Sequence, residues 1–168
     1  DSKQELKKLI YDSVEEQLVS DVEIGAFLSS GIDSSLIVST MSKISKKKVN
    51  TFTLGFDNNY FDESKKAKEI SNYLNTNHQE VIFDANKALE IIPKLSEIYC
   101  EPFSDSSQIP TFFLTQFAKK SVKVALTGDG GDELFGGYNR YIHSNQLMRF
   151  YKNKNNFFNK VLFKLNNI

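Results

Sequence analysis

Hydrophobic residues along the chain switch between helical and strand-like spacing. Near the start, apolar side chains recur every three or four residues and predict an amphipathic helix with an inward face of Leu6, Leu9, Ile10, Val14 and Leu18. Four short apolar runs follow, each with the length of a buried strand: residues 22–28, 49–56, 78–83 and 121–126. Helical spacing separates these runs. Strands that alternate with helices predict an α/β fold in which a parallel sheet is sandwiched by helices.

Three residues predict where the later helices begin. Asp62 and Asp84 have side chains that cap helix N-termini, and Pro110 is suited to start another helix. The helix after Asp84 is expected to turn four apolar side chains toward the core: Leu89, Ile92, Leu95 and Ile98.

Composition argues against several classes of function. The chain has 168 residues, with 21 Lys and Arg against 21 Asp and Glu, so no net positive field attracts nucleic acid or an anionic membrane. Its single cysteine, Cys100, cannot form an internal disulfide framework. No apolar run approaches the roughly 18 residues of a membrane span. We therefore expect a soluble, cytoplasmic protein with no nucleic-acid or membrane partner.

Charge is uneven near the end of the chain, where no acidic residue follows Glu133. Residues 151–168 mix lysine and asparagine with phenylalanine and leucine, which predicts a basic amphipathic helix. We expect one domain over residues 1–150 and, over 151–168, a tail that begins a missing C-terminal helical part. Two alternatives stay open: a terminal helix packed on its own domain, and an arm that binds a membrane surface or nucleic acid.

A serine-rich loop is predicted where the first strand meets the next helix. The hydroxyls of Ser29, Ser30 and Ser34 surround Gly31, and the backbone N–H groups of such a turn can hold a polyphosphate. Asp33 lies among these donors, where its charge would repel phosphate unless a magnesium ion lay between them. The loop therefore predicts a magnesium–nucleotide site. A plain serine-rich helix cap is the alternative.

A second loop, residues 127–133, follows the last predicted strand. Its three glycines allow the backbone to pass close to a ligand, and its acids are Asp129, Asp132 and Glu133. Since ligands of parallel sheets bind beyond the carboxyl ends of the strands, we expect both loops to serve one site. The acids predict a bound cation or acid–base chemistry, while their spacing disfavours an EF-hand. A simple Gly/Asp turn is the alternative.

The two loops together resemble a known family. The first is similar to the pyrophosphate-loop signature Ser-Gly-Gly-x-Asp-Ser of ATP pyrophosphatases, and the second reads Thr-Gly-Asp-Gly-Gly-Asp-Glu-Leu-Phe-Gly-Gly-Tyr. That longer pattern resembles the synthetase domain of glutamine-hydrolysing asparagine synthetases, and the likeness covers roughly residues 5–145. The resemblance implies a Rossmann-like fold of the adenine nucleotide alpha hydrolase-like type.

The resemblance implies an amide-forming ligase that uses ATP and Mg²⁺. A carboxylate, here that of aspartate, would attack the α-phosphorus of ATP, pyrophosphate would leave, and ammonia would displace AMP. The implied partners are aspartate or another carboxylate, ammonia, and a glutaminase domain in the full-length protein, and a homodimer stays open. Two alternatives remain: a relative that amidates a sugar or secondary metabolite, and a non-catalytic nucleotide-binding fragment.

The resemblance also assigns phosphate and metal ligands. The loop residues that would hold pyrophosphate are Ser29, Ser30, Gly31, Asp33 and Ser34. Magnesium would be held by Asp33 and Asp132.

Further roles carried over by the resemblance concern the nucleoside and the amination step. The adenine and ribose pocket would be lined by Phe27, Leu54, Thr127 and Gly128. Asp129 would orient or deprotonate ammonia, and Glu133 is the second catalytic candidate. Weaker candidates near the amino-acid side are Asp62, Asp105 and Ser106, with a plain helix cap as the favoured role of Asp62.

Three departures from the family pattern change the expectations. Ser30 stands where the signature has a second glycine, so the loop is strained if that position needs a positive φ. The leading cysteine of a glutaminase domain is missing, so this piece should not hydrolyse glutamine. The family's catalytic lysine lies farther downstream than this sequence reaches. We therefore expect this piece to bind nucleotide weakly and to turn over slowly or not at all.

Overall fold

The computed structural model describes residues 1–57, 62–101 and 104–153. The chain divides into two compact units, Asp1–Asp129 and Gly130–Ile168. The sheet lies in the first unit, and the described part of the second unit contains helices α7 (Gly131–Phe135) and α8 (Asn139–Asn153). Apart from the end of α8, the predicted tail lies outside the described residues. The predicted domain boundary near residue 150 stays a prediction.

The four predicted strands form one parallel sheet, which confirms the α/β prediction. Their order across the sheet is β3-β2-β1-β4, and every neighbouring pair is parallel. The strands are β1 (Ile24–Phe27), β2 (Asn50–Phe56), β3 (Asn77–Phe83) and β4 (Val124–Leu126). Because β1 lies between β2 and β4, the loops that follow β1 and β4 leave neighbouring strands at the same edge of the sheet.

Helices connect the strands within the first unit. They are α1 (Ser2–Gln17), α2 (Ile32–Ile44), α3 (Ser64–Tyr73), α4 (Ala85–Ile91), a 3-10 turn (Ile92–Lys94), α5 (Leu95–Ile98) and α6 (Gln108–Ala118). Within the described ranges, no helix is long and apolar enough to cross a membrane.

Each face of the sheet has its own hydrophobic core. Neighbouring residues of a strand point to opposite faces, so Ala26 and Phe27 contribute to different cores. One core joins β1 to the first three helices and contains Val14, Ala26, Leu28, Val38, Met41, Val49 and Ala67. The other joins β2 to α6 and contains Phe52, Ala118 and Val122. The rings of Phe52 and Phe117 meet edge to face, with centroids 6.1 Å apart. Both faces are therefore covered by helices.

Two predicted helix features differ in the structure. The helix after Asp84 breaks into α4, the 3-10 turn and α5, because Pro93 lacks a backbone N–H and fixes φ. The prediction that Leu89 and Ile92 turn inward is wrong, since they are 64% and 48% exposed. Helix α6 begins at Gln108, two residues before the Pro110 that was expected to start it. The cap at Asp84 is confirmed, because its Oδ1 accepts from Asn86 N–H at 3.0 Å.

A buried polar cluster lies at the amino ends of β2 and β3, away from the two loops. His78 Nδ1 lies 3.0 Å from Thr51 Oγ1, which lies 2.9 Å from Thr76 Oγ1. The His78 side chain is 7% exposed, and its Nε2 has no hydrogen-bond partner among the described residues, although Glu80 Oε1 lies 3.5 Å away. Burial lowers the pKa of His78 below its ordinary value of 6.5, and it outweighs the attraction of Glu80.

This cluster predicts a loss of stability in mild acid. The unfolded chain binds a proton on His78 near pH 6.5 and the folded chain does so only at lower pH, so the free energy of unfolding should fall as pH drops below 6.5. Urea unfolding at pH 7.5 and pH 5.5 measures this change, which should be smaller in His78→Gln than in the wild type. His143→Gln, at an exposed position, is the control and should behave like the wild type. An equal loss in His78→Gln and the wild type would contradict the prediction.

Candidate functional site

The serine-rich loop lies at the carboxyl end of a central strand. β1 ends at Phe27, and α2 begins five residues later at Ile32. Gly31 caps α2 with φ −72° and ψ 155°, an extended conformation that any residue can adopt. The loop hydroxyls and the first N–H groups of the 13-residue α2 therefore face the same edge of the sheet. Such an arrangement suits an anionic ligand.

Hydrogen bonds among the serines hold the loop in shape. Ser29 Oγ and Ser34 Oγ lie 2.8 Å apart, and Ser34 Oγ accepts from the Ser29 N–H at 3.1 Å. Ser29 Oγ accepts from the Gly31 N–H at 3.1 Å, and the Ser35 hydroxyl donates to the Gly31 carbonyl at 2.7 Å. These hydrogen bonds connect the two ends of the loop, so its backbone has a defined shape without a bound ligand.

Ser30 occupies the second glycine position of the signature without the expected strain. Among the described residues, Asn75 is the only non-glycine residue with a positive φ, of 55°. The Ser30 N–H instead donates to Oε2 of Glu63 at 3.0 Å. Sequence reasoning missed Glu63 as a neighbour of the loop, because the contact joins residues 33 positions apart and no local pattern indicates it.

Glu63 therefore places a negative charge on a donor that the loop could offer to phosphate. We expect Glu63→Gln to tighten binding of inorganic pyrophosphate with Mg²⁺ by about 2- to 5-fold. The neutral amide competes less strongly for the Ser30 N–H than the carboxylate does, and it repels the phosphate oxygens less. Isothermal titration calorimetry on the whole protein measures the dissociation constant. Glu69→Gln, at an exposed position of α3, is the matched control. Weaker binding in Glu63→Gln would mean that Glu63 shapes the loop rather than competing with phosphate.

Gly128 packs directly on the first turn of α2. A Cβ built on Gly128 would lie 2.6 Å from Ser34 N and 2.9 Å from the Asp33 carbonyl carbon. Both are backbone atoms, which cannot turn away as the end of a side chain can. The loop after β4 thus touches the start of α2 beside the serine-rich loop, and this contact requires glycine.

Thr127 and Asp129 flank this contact. The Thr127 Oγ1 accepts from the Asp129 N–H at 3.3 Å, and the Asp129 side chain is exposed. An exposed carboxylate at the carboxyl end of β4 is accessible to a substrate. The predicted roles of Thr127 in nucleoside binding and of Asp129 in amination remain predictions.

The carboxylate of Asp33 belongs to the first turn of α2. Its side chain is half-buried, and within the described part of the chain its oxygens make no hydrogen bond or ion pair. The same part of the chain contains no group of three or more His, Cys, Asp or Glu side chains that could hold a metal ion. Mg²⁺ bound with phosphates needs only one or two protein carboxylates and keeps several waters. The donor set at Asp33 therefore fits Mg²⁺ that arrives with a nucleotide.

In the second unit, Asp132 and Glu133 lie in the first turn of α7. The Tyr138 hydroxyl donates to Glu133 Oε1 at 2.6 Å. This hydrogen bond lowers the pKa of Glu133 below its usual range and raises the pKa of Tyr138 to about 12. A carboxylate with a lowered pKa is a weaker base at neutral pH. The metal role of Asp132 and the catalytic role of Glu133 remain predictions.

The predicted nucleoside residues Phe27 and Leu54 lie on one face of the sheet. Phe27 is in register with Phe52 on β2, and Leu54 follows two residues later, so all three side chains share a face. Phe27 packs against the core beneath α6, and both Phe27 and Leu54 are half-buried. Their contact with adenine stays a prediction.

The weaker candidates make local hydrogen bonds at loop ends. Asp62 Oδ1 accepts from the Ser64 N–H at 3.1 Å and from the Phe56 N–H at 3.3 Å, and the bonds from Ser64 lead in lowering its pKa. Asp105 Oδ1 accepts from the Ser107 N–H at 2.7 Å, which lowers the pKa of Asp105. Ser106 lies exposed in that turn. The N-cap of α3 is Glu63, one residue after the predicted Asp62, so Asp62 holds the start of the helix from the preceding position through its bond from the Ser64 N–H.

The fold matches solved structures of enzymes with little sequence in common. The NMN synthetase of Francisella tularensis superposes with a TM-score of 0.57 at 18% identity, over 80% of this chain and 58% of that one. The NH3-dependent NAD synthetase of Campylobacter jejuni gives a TM-score of 0.54 at 17% identity, over 81% of this chain and 60% of that one. These likenesses confirm the predicted fold, the adenine nucleotide alpha hydrolase-like fold.

Similarity in sequence points to one family more specifically than the likeness of fold does. A relative from Methanocaldococcus jannaschii is 43% identical over 145 residues, which are 86% of this chain and 28% of that protein. The Bacillus subtilis asparagine synthetase (glutamine-hydrolysing) 1 is 42% identical over 137 residues, which are 82% of this chain and 22% of that protein. The chain therefore spans less than a third of either relative. The family model described as asparagine synthase matches residues 5–165, and with that match the chain belongs to the asparagine synthase family, as its synthetase domain.

Proposed function

We propose that this chain is the synthetase domain of an asparagine synthetase, which adenylates the side-chain carboxylate of aspartate and converts it with ammonia to asparagine. The observation that carries the proposal is the hydrogen-bonded serine loop at the carboxyl end of β1, with Gly128 packed beside it and an Asp33 carboxylate that has no hydrogen bond or ion pair among the described residues. A glutaminase domain, as the names of the relatives suggest, would supply the ammonia.

In the first step, a carboxylate oxygen of aspartate forms a bond to the α-phosphorus of ATP, and the bond from this phosphorus to pyrophosphate breaks. The departing pyrophosphate gains negative charge. The N–H groups at the start of α2 would donate hydrogen bonds to it, and so would the hydroxyls of Ser29 and Ser34 once their mutual hydrogen bond opens. Mg²⁺ bound by Asp33 and Asp132 would neutralise part of the same charge.

In the second step, the nitrogen of ammonia forms a bond to the acyl carbon, and AMP leaves with the electrons of the broken carbon–oxygen bond. One proton must leave the nitrogen as the amide forms. Asp129 is the residue proposed to orient ammonia or to accept this proton, since its carboxylate is exposed beside Gly128. Phe27 and Leu54 would hold the adenine and ribose away from the reacting atoms.

Exchange of radiolabelled pyrophosphate into ATP tests this proposal. The whole protein with ATP, Mg²⁺ and aspartate is expected to exchange label, and exchange should stop when aspartate is omitted. A panel of other carboxylates, sugar acids included, tests the acceptor: exchange with another acid alone would overturn aspartate as the substrate. Hydrolysis of ATP to ADP and phosphate, with no exchange for any acid, would contradict adenylation itself.

A further inference from the structure

The turn after α7 folds back over the side chain of Asp132. α7 ends at Gly136, whose left-handed backbone has φ 70° and ψ 35°, and the Gly137 N–H then donates to the Asp132 carbonyl at 3.0 Å. A Cβ built on Gly137 would overlap Asp132 Oδ1 and would lie 2.9 Å from Asp132 Cγ. The Asp132 carboxyl group therefore rests against the bare Cα of Gly137. Any side chain at position 137 would push this carboxylate aside.

Tyr138 fixes the turn on its other side. Its hydroxyl donates to Glu133 Oε1 at 2.6 Å, so the residue after Gly137 is tied to the residue after Asp132. The Arg140 guanidinium lies 4.0 Å from the centre of the Tyr138 ring, a cation–π distance that holds the ring in place. The Tyr141 N–H donates to the Tyr138 carbonyl at 3.0 Å, which joins the turn to the start of α8.

The Tyr138 hydroxyl is a hydrogen-bond partner that Glu133 would not need in order to accept a proton. One of its two oxygens accepts the short bond from Tyr138, and the bond holds Glu133 and Tyr138 at fixed positions around Asp132 and Gly137. We propose that Gly137 and the Glu133–Tyr138 hydrogen bond position the Asp132 carboxylate for its divalent cation, with Glu133 a positioning residue rather than a proton acceptor. The proposal rests on the proposed function, in which Asp132 is a ligand of the nucleotide's metal.

Binding of Mn²⁺ in place of Mg²⁺ tests the positioning role without turnover. Enhancement of the water-proton relaxation rate by protein-bound Mn²⁺–ATP, measured on the whole protein, gives the dissociation constant of the Mn²⁺–ATP complex. Tyr138→Phe keeps the ring that Arg140 covers and removes only the hydroxyl, and it should raise this constant by about 10-fold, as loss of a partner that orients a metal ligand does elsewhere. Gly137→Ala should raise it at least as much. Tyr73→Phe, 88% exposed on α3, is the control and should leave it unchanged.

Glu133→Gln separates a positioning role from a catalytic one. The glutamine Oε1 can still accept from the Tyr138 hydroxyl, whereas an amide cannot take a proton from ammonia. We expect Glu133→Gln to keep the wild-type Mn²⁺ dissociation constant, and Glu133→Ala to raise this constant as Tyr138→Phe does.

Two results would overturn the proposal while leaving the proposed function intact. One is an unchanged Mn²⁺ dissociation constant in Tyr138→Phe with normal pyrophosphate exchange. The other is loss of amide formation in Glu133→Gln with normal exchange and normal Mn²⁺ binding, which would make Glu133 catalytic. A wild-type protein that exchanges no pyrophosphate with any carboxylate overturns the proposed function, and this proposal with it.

Discussion

Replacing Gly128 with alanine is expected to weaken binding of ATP with Mg²⁺ by about 10-fold or more. The added Cβ would lie 2.6 Å from Ser34 N and 2.9 Å from the Asp33 carbonyl carbon, so the second loop or the start of α2 must move. Overpacking of this kind costs about 1–3 kcal/mol, and about 1.4 kcal/mol corresponds to tenfold in a binding constant. Isothermal titration calorimetry with the whole protein measures the affinity.

Gly130→Ala is the matched control for this prediction. Gly130 has φ 91°, and a Cβ built on it meets no atom of the described residues within 4 Å. The alanine adds the strain of a left-handed backbone, of about 1–2 kcal/mol, but no collision. It should lower the thermal midpoint of unfolding and weaken ATP binding less than Gly128→Ala does. Full ATP affinity in Gly128→Ala would contradict a nucleotide site at this contact.

Asp33→Asn and Asp132→Asn are each expected to reduce aspartate-dependent pyrophosphate exchange by about 100-fold or more. Each change keeps the size of the side chain and removes the charge that a hard cation needs. Charge neutralisation by a metal contributes several kcal/mol to a transition state of this kind. Initial rates of exchange, measured over a range of Mg²⁺ concentrations, give the effect on both the rate and the metal requirement.

The double variant tests whether the two carboxylates hold one ion. If they share it, losing the second ligand adds little once the first is lost, so the combined effect should fall well short of the product of the single effects. Asp21→Asn, at an exposed position on the amino-terminal side of β1, is the matched control and should exchange normally. Exchange that survives either single change, or effects that multiply fully in the double variant, would contradict a shared metal site.

The sequence predicts the sheet well because its two central strands, β1 and β2, are largely buried. β2 has three successive fully buried residues, Thr51, Phe52 and Thr53, and its predicted range of 49–56 differs by one residue from Asn50–Phe56. The predicted range of 22–28 is longer than β1. Val22 is apolar but 47% exposed, and pairing with the neighbouring strands begins only at Ile24. Hydrophobicity therefore indicates the strand, while the neighbouring strand determines where it begins.

The site is predictable only as far as local chemistry reaches. The hydroxyls and acids of both loops are visible as motifs, whereas the role of Gly128 near a ligand stays a prediction. The bond from Ser30 to Glu63 is not visible as a motif, because it joins distant segments and depends on how α3 packs. Whether Ser30 has a positive φ depends on the backbone conformation of the loop, which residue identity alone does not determine. The overlap of Gly137 with Asp132 likewise follows from the turn at Gly136, which only the structure reveals.

Transfer of oxygen-18 from aspartate to AMP tests adenylation most directly. The whole protein is supplied with ATP, Mg²⁺, ammonia and aspartate labelled in its side-chain carboxylate, and mass spectrometry locates the label in the products. The mechanism predicts one labelled oxygen in the phosphate of AMP, because the attacking oxygen stays on the α-phosphorus when ammonia displaces AMP. Label in inorganic phosphate, with ADP as the other product, would mean attack at the γ-phosphorus and would contradict the mechanism.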